Sequence, residues 1–221
     1  CSSDLACALG QSGGTTVAAT MWCAHRCGIH LFATGGIGGV HRGAQDTFDI
    51  SADLSELART PVTVVCAGAK FILDLAKTRE VLETHGVPII GYQTDEFPGF
   101  YTAQTGLGVD LRADDVSTIA KVVQHHRALE LDHASLVVQP PPAEHALDPE
   151  RLEGWLEDAL ADADSNGVSG HRLTPFLLDR MSRYSDGGTL EVNTRLIEAN
   201  ARLAGHITVA LQAVPTAAGT A

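Results

Sequence analysis

Between residues 29 and 91, short apolar runs alternate with helix-like stretches, and this alternation restricts the fold more than any other feature. Ile29-His-Leu-Phe-Ala33 leads straight into a glycine-rich loop. Pro61-Val-Thr-Val-Val-Cys66 is rich in β-branched residues and lacks in-out alternation, as a strand covered on both faces should. Val87-Pro-Ile-Ile-Gly91 repeats that character. Between these runs, residues 52–58 read as a short helix with Ser51 as N-cap, and residues 70–84 as a helix ending at His85-Gly86. The order β–loop–α–β–α–β predicts a parallel sheet with right-handed crossovers.

The flanks extend the same plan. Residues 15–27 carry apolar positions at helical spacing, with Gly28 as the stop. Residues 92–112 read as loop with a short strand near 108–111. Residues 114–129 read as a helix whose first turn holds Asp114 and Asp115, where the helix dipole favours acids. Residues 135–139 form a further strand, stopped by Pro140-Pro141-Pro142, and three helices follow at 149–167, 174–183 and 189–213. The expectation is one α/β domain over residues 1–214, with a mostly parallel central sheet flanked by helices in α/β/α layers. It ends in a helical C-terminal section, with residues 215–221 as a disordered tail.

Composition narrows the function. The net charge of −12, without a Lys/Arg run, disfavours nucleic acid and anionic membranes as partners but leaves room for a local phosphate pocket. No apolar run reaches the ~18–20 residues needed to span a bilayer. The 5 cysteines are an odd number at low density, which suits a reducing cytoplasm better than a disulfide framework. Cys23-Ala-His25-Arg-Cys27 has no second ligand pair at zinc-finger spacing, so its thiols are expected to be buried or partly buried.

Chemistry concentrates in residues 34–70. The loop Thr34-Gly-Gly-Ile-Gly-Gly-Val-His-Arg-Gly43 follows a strand, where open α/β sheets place their ligand crevice. It matches neither the dinucleotide fingerprint nor the P-loop, and its glycines serve equally as a tight turn or as an anion cradle. Arg42 favours an anion, because guanidinium pairs with phosphate through two parallel bonds. Asp46, Asp49 and Asp53 are spaced to share a face, suiting either a hard divalent cation or the capping of the helix after Ser51. Lys70 is read at a helix N-terminus, where the dipole disfavours its charge. A neutral amine is what Schiff-base chemistry requires, so nucleophile and snorkelling surface lysine are both open readings.

With these residues in view, the chain resembles the pseudouridine-5′-phosphate glycosidase, or indigoidine synthase A-like, family. The resemblance rests on Gly13-Gly-Thr-Thr-Val-Ala-Ala-Thr-Met21, on residues 33–44, on Thr47-Phe-Asp-Ile-Ser-Ala-Asp-Leu54 and on Val64-Val-Cys-Ala-Gly-Ala-Lys70. It continues through residues 86–94, Thr174-Pro-Phe-Leu-Leu178, Asn193 and Asn200, and covers residues 3–212. It implies reversible cleavage of the C–C glycosidic bond of pseudouridine 5′-phosphate to uracil and ribose 5-phosphate. In that scheme Lys70 adds to the anomeric carbon, the sugar ring opens, and an imine serves as electron sink. The resemblance also implies Asp49 as holder of one Mn²⁺ per subunit through a mostly aqueous shell, and substrate contacts from Val17, Ser51, Ala52 and Asp53. Thr34, His41 and Arg42 are further candidates for phosphate or sugar contact, and Asn193 for substrate contact from the C-terminal helix. A homo-oligomer, a trimer, is implied as well.

One departure from the family pattern stands out. The family carries an acidic proton donor and a substrate lysine upstream of an Arg-Arg-Asp-Leu-like segment, whose place here is taken by Ser2-Ser3-Asp4-Leu5. The expectation is therefore a C-terminal portion of the enzyme. Its alternatives are a non-catalytic sugar-phosphate-binding remnant, or a Schiff-base lyase acting on another sugar phosphate.

Overall fold

The apolar runs assemble into one five-stranded parallel sheet in the structure, a computed structural model that describes residues 3–168 and 170–213. In chain order the elements begin with α1 (Ser3–Ala8), α2 (Val17–Arg26), β1 (Leu31–Ala33), β2 (Val40–His41), α3 (Ala44–Thr47) and α4 (Ala52–Leu57). Next come β3 (Thr63–Cys66), β4 (Leu73–Asp74), α5 (Leu75–Thr84), β5 (Ile89–Tyr92), β6 (Leu111–Ala113) and α6 (Val116–Ala128). The chain closes with β7 (Ser135–Val138), α7 (Pro149–Ser165), α8 (Leu173–Tyr184) and α9 (Gly188–Ala213). The sheet order is β1-β3-β7-β5-β6, and the register aligns Val65 with Val137 and Val137 with Ile90.

Because side chains alternate across a strand, each central strand feeds two cores. Val64, Cys66, Leu136, Val138 and Ile89 face a large cluster with Met21, Leu54, Leu57, Leu82, Leu152 and Leu156. Val65, Val137 and Ile90 face a second cluster built from Ile119 and Val123 of α6 and Leu203, Ala204 and Ile207 of α9. β3 and β7 are buried at every position, which explains their unbroken apolar character. The layers are those expected, and the chain ends in the 26-residue α9.

Caps behave as their residue types dictate. Thr16, Ser51, Asp74, Asp115 and Asp148 each accept a backbone N–H from the first turn of the helix they start.

Several local expectations need correction. Lys70 does not open a helix. α5 begins at Leu75 behind Asp74, and residues 73–74 instead pair antiparallel with 40–41 as a separate two-stranded ribbon. Lys70 is thus not at a helix N-terminus. The strand expected near 108–111 lies at Leu111–Ala113. Asp46 and Asp53 belong to different helices separated by Phe48, which adopts the left-handed conformation at φ 55°, so the three aspartates do not form one helical face. Cys7, Cys23 and Cys27 are exposed, whereas Cys66 is buried and its thiol is pushed up to about 12 by that burial. The expected tail at 215–221 lies outside the described residues. No described helix is long and apolar enough to cross a membrane.

Candidate active site

A cavity of about 640 Å³ opens at the carboxyl ends of β1 and β3, the expected place for a ligand in such a sheet. Its floor is Phe32, Ala33 and the start of the glycine loop. Lys70 comes from the loop after β3, Val17 from α2, Ser51 and Asp53 from the start of α4, and Asn193 from α9. His41 and Thr34 also line it. Of the residues singled out in the sequence, the structure gathers Lys70, Val17, Thr34, His41, Ser51, Asp53 and Asn193 on one cavity.

The loop is glycine-rich for steric reasons. A Cβ at Gly38 would lie 2.8 Å from Asp53 Oδ2 and closer still to the Ser51 side chain. Gly68 has φ +75° and its would-be Cβ runs into the Pro98 carbonyl. Several of the loop's amides are committed within the protein. Ile37 N–H donates to Gly68 O (3.0 Å), Gly38 N–H to Asp53 Oδ2 (2.8 Å), Val40 N–H to Thr78 Oγ1 (3.0 Å) and His41 N–H to Asp49 O (3.0 Å). At those four positions the loop is a tight turn and not an open anion cradle.

Asp53 is 4% exposed and both its oxygens are used, the second accepting Ala18 N–H at 2.8 Å. It lies at the N-terminus of α2 and near the start of its own helix, where backbone N–H groups compensate a buried carboxylate. Its contribution to the cavity is to lock α2, α4 and the glycine loop together.

Three residues sit elsewhere. Arg42 forms a bidentate pair with Glu153 of α7 (2.5 and 3.0 Å) and lines a neighbouring groove, not the main cavity. Ala52 faces a different groove, between α2 and α4. Asp49 is 43% exposed beside the site, its Oδ2 3.9 Å from His41 Nδ1. Lys70 is half-buried, and its amine has no ion-pair or hydrogen-bond partner among the described residues.

No three His, Cys, Asp or Glu side chains converge among the described residues. The donors present fit a hard divalent ion held by Asp49 alone and keeping most of its water, and do not fit a closed thiolate–imidazole site.

Sequence reading missed the hydroxyl belt of this cavity: Thr15, Thr16, Thr20, Thr174, Ser182 and Thr189. Only the four-residue spacing of Thr189, Asn193 and Ile197 hinted that one face of α9 would line a site. Also missed was Phe100, at φ 64°, spanned by a Tyr101 N–H to Gly99 O bond of 2.7 Å. This strained three-residue turn presses the Phe100 ring against Gly36 and seats Tyr101 edge-on at 4.8 Å. Burial pushes the Tyr101 phenol up to about 12, partly offset by its hydrogen bond with Thr189.

Against this geometry, the family model described as indigoidine synthase A like protein matches residues 2–210. The chain belongs to the indigoidine synthase A-like family. Within it, the chain is 52% identical over 204 residues to a pseudouridine-5′-phosphate glycosidase of Caldanaerobacter subterraneus subsp. tengcongensis, covering 92% of this chain and 66% of that relative. It is 50% identical over 206 residues to the glycosidase of Herpetosiphon aurantiacus, covering 93% and 68%. It thus spans about two thirds of the length of the curated relatives it matches. Among solved structures, prealnumycin C-glycosynthase AlnA in complex with ribulose 5-phosphate superposes with a TM-score of 0.87 at 40% identity, over 93% of this chain and 68% of that one. An indigoidine synthase A-like protein from Thermotoga maritima gives 0.81 at 36%, over 90% and 64%. This member of the indigoidine synthase A-like family therefore shares its sheet, and the cavity at the strand ends is the place to seek its chemistry.

Proposed function

We propose that the chain carries the imine-forming half of a pseudouridine-5′-phosphate glycosidase. The observation that carries this reading is Lys70, which lines a hydroxyl-rich cavity and whose amine is free of any carboxylate partner among the described residues. The Lys70 amine attacks the anomeric carbon and the ring C–O bond breaks, its oxygen taking up a proton as a hydroxyl. The nitrogen lone pair then forms C=N as the C–C bond to uracil breaks, and that electron pair accepts a proton on the uracil carbon. Water hydrolyses the imine, releasing ribose 5-phosphate and restoring the amine.

Thr34, Ser51 and the threonines of the belt hydrogen-bond the sugar hydroxyls and phosphate, and Asn193 offers a carboxamide to the polar edge of the base. His41, fixed by its backbone bond to Asp49 O, faces the sugar. Asp49 would hold Mn²⁺ through water, and the ion would supply positive charge to offset the phosphate of the substrate. The same proposal includes assembly as a homotrimer, checked by light scattering.

One observation favours a narrower second reading for this chain on its own. Asp53 is the carboxylate lining the cavity among the described residues, and both its oxygens are occupied by backbone donors. A chain without another acid still condenses Lys70 with free ribose 5-phosphate to an imine, but does not cleave pseudouridine 5′-phosphate, because the departing uracil carbon receives no proton. Incubation with ribose 5-phosphate and borohydride, followed by peptide mass spectrometry, tests the common step; an unmodified Lys70 overturns both readings. Loss of pseudouridine 5′-phosphate, followed in the uracil absorbance band, separates full turnover from imine formation alone.

A further inference from the structure

Asn200 lies on α9 two turns beyond Asn193, fully buried at 0% exposure and outside the cavity lining. Its Nδ2 donates to Thr34 O at 2.8 Å and to Gly35 O at 3.3 Å. Its Oδ1 accepts from Gln139 Nε2 at 2.9 Å. Backbone carbonyls only accept, so the amide orientation is dictated by its partners. Gln139 N–H in turn donates to Cys66 O at 3.1 Å. One carboxamide thereby joins α9 to the carboxyl end of β1 directly, and to those of β7 and β3 through Gln139.

The geometry of the cavity depends on this joint. α9 contributes Thr189, Leu190, Asn193 and Ile197 to one wall, and the β1 end contributes Thr34 and Gly35 to the facing wall. The two walls are in close approach, since a Cβ at Gly35 would lie 3.3 Å from Asn193 Oδ1. We propose that Asn200 is a positioning residue for this site, setting Asn193 against Thr34 and Gly35 without touching the ligand. It acts on the walls that grip the substrate and not on Lys70, so its loss raises the concentration needed for half-saturation more than it lowers the maximal rate.

The activity arm of the test rests on the imine-forming reading above; the exchange arm does not. Two variants serve. Asn200→Asp keeps the acceptor for Gln139 but turns a carboxylate toward two carbonyls, and Gln139→Met, at a partly exposed position, removes a single donor. Amide hydrogen exchange of residues 34–38 is expected to quicken about tenfold in Asn200→Asp and to a lesser degree in Gln139→Met, with β5 exchange unchanged. In borohydride trapping with ribose 5-phosphate, the half-saturating concentration rises about tenfold in Asn200→Asp, while the maximal rate stays within about threefold. Unchanged exchange at 34–38, or a uniform rise throughout the protein, overturns the proposal. So does a fall in maximal rate at unchanged half-saturation. If wild type itself is not trapped, the proposed function fails, and the exchange arm alone decides the role of Asn200.

Discussion

Asp53 and Gly38 meet across fifteen residues of chain, the buried carboxylate taking the glycine amide at 2.8 Å while its other oxygen takes the Ala18 amide at the same distance. Three elements of the cavity thus converge on one side chain. Asp53→Ala leaves two buried N–H groups without acceptors and should lower stability by about 3 kcal/mol. Urea denaturation followed by circular dichroism measures this. A change under about 0.5 kcal/mol, the usual range for surface positions, rules out the locking role.

Gly38 is the reciprocal case. Its would-be Cβ lies in the space of Ser51 and Asp53, so Gly38→Ala forces the Asp53 carboxylate off its donors. Overpacking of this kind costs about 1–3 kcal/mol. Gly13, with nothing within 4 Å of its would-be Cβ, is the control, and Gly13→Ala should leave the thermal midpoint unchanged. Equal midpoints for the two variants would show that the close approach is unimportant.

Arg42 tests the placement of charge. Its guanidinium and Glu153 are partly exposed, at 37% and 40%, so solvent screening limits the pair. Arg42→Gln should destabilise by no more than about 1 kcal/mol. Since Arg42 lines a separate groove, ribose 5-phosphate affinity by calorimetry should shift less than about threefold, against the tenfold or more expected on losing a charge-assisted phosphate contact. A tenfold loss would restore Arg42 as a phosphate ligand.

A pH response is built into the opposite end of the sheet. His126 Nε2 lies 3.3 Å from His133 Nδ1, and burial, then the nearness of His133, lowers the His126 pKa. His30 is lowered likewise by burial, Arg127 and His25. The unfolded chain takes up these protons below about pH 6.5, whereas the folded chain resists until lower pH. Stability is therefore fully present above about 6.5 and declines as pH falls through the window beneath it. Urea midpoints between pH 7.5 and 5.5 should fall less steeply in His126→Phe than in wild type; parallel slopes would exclude the histidine.

What could be read from sequence divides along physical lines. Val62–Cys66 and Ser135–Val138 declared themselves because buried parallel strands have no polar face to disguise them. Ser51 was legible as a cap because its hydroxyl acts two residues away, on Asp53 N–H. Lys70 was found as a residue but misplaced, since the ribbon pairing 40–41 with 73–74 spans more than thirty residues and no local pattern announces it. Arg42 was drawn toward phosphate because its partner, Glu153, is 111 positions away. The threonine belt was invisible for the same reason: its members come from α2, α8 and α9, and only tertiary packing brings them to one cavity.

The place of β7 has a consequence for how the protein is made. It lies at the centre of the sheet, between β3 and β5, yet is the last of the described strands to emerge from the ribosome. Until residues 135–138 are available, β3 and β5 each present an unpaired apolar edge, with β5 held only to β6. At roughly 5–20 residues per second, the roughly 45 residues from the end of β5 to the end of β7 leave those edges open for several seconds. Sheet closure is a late, non-local event, and nascent chains halted before residue 135 should be the ones that chaperones hold.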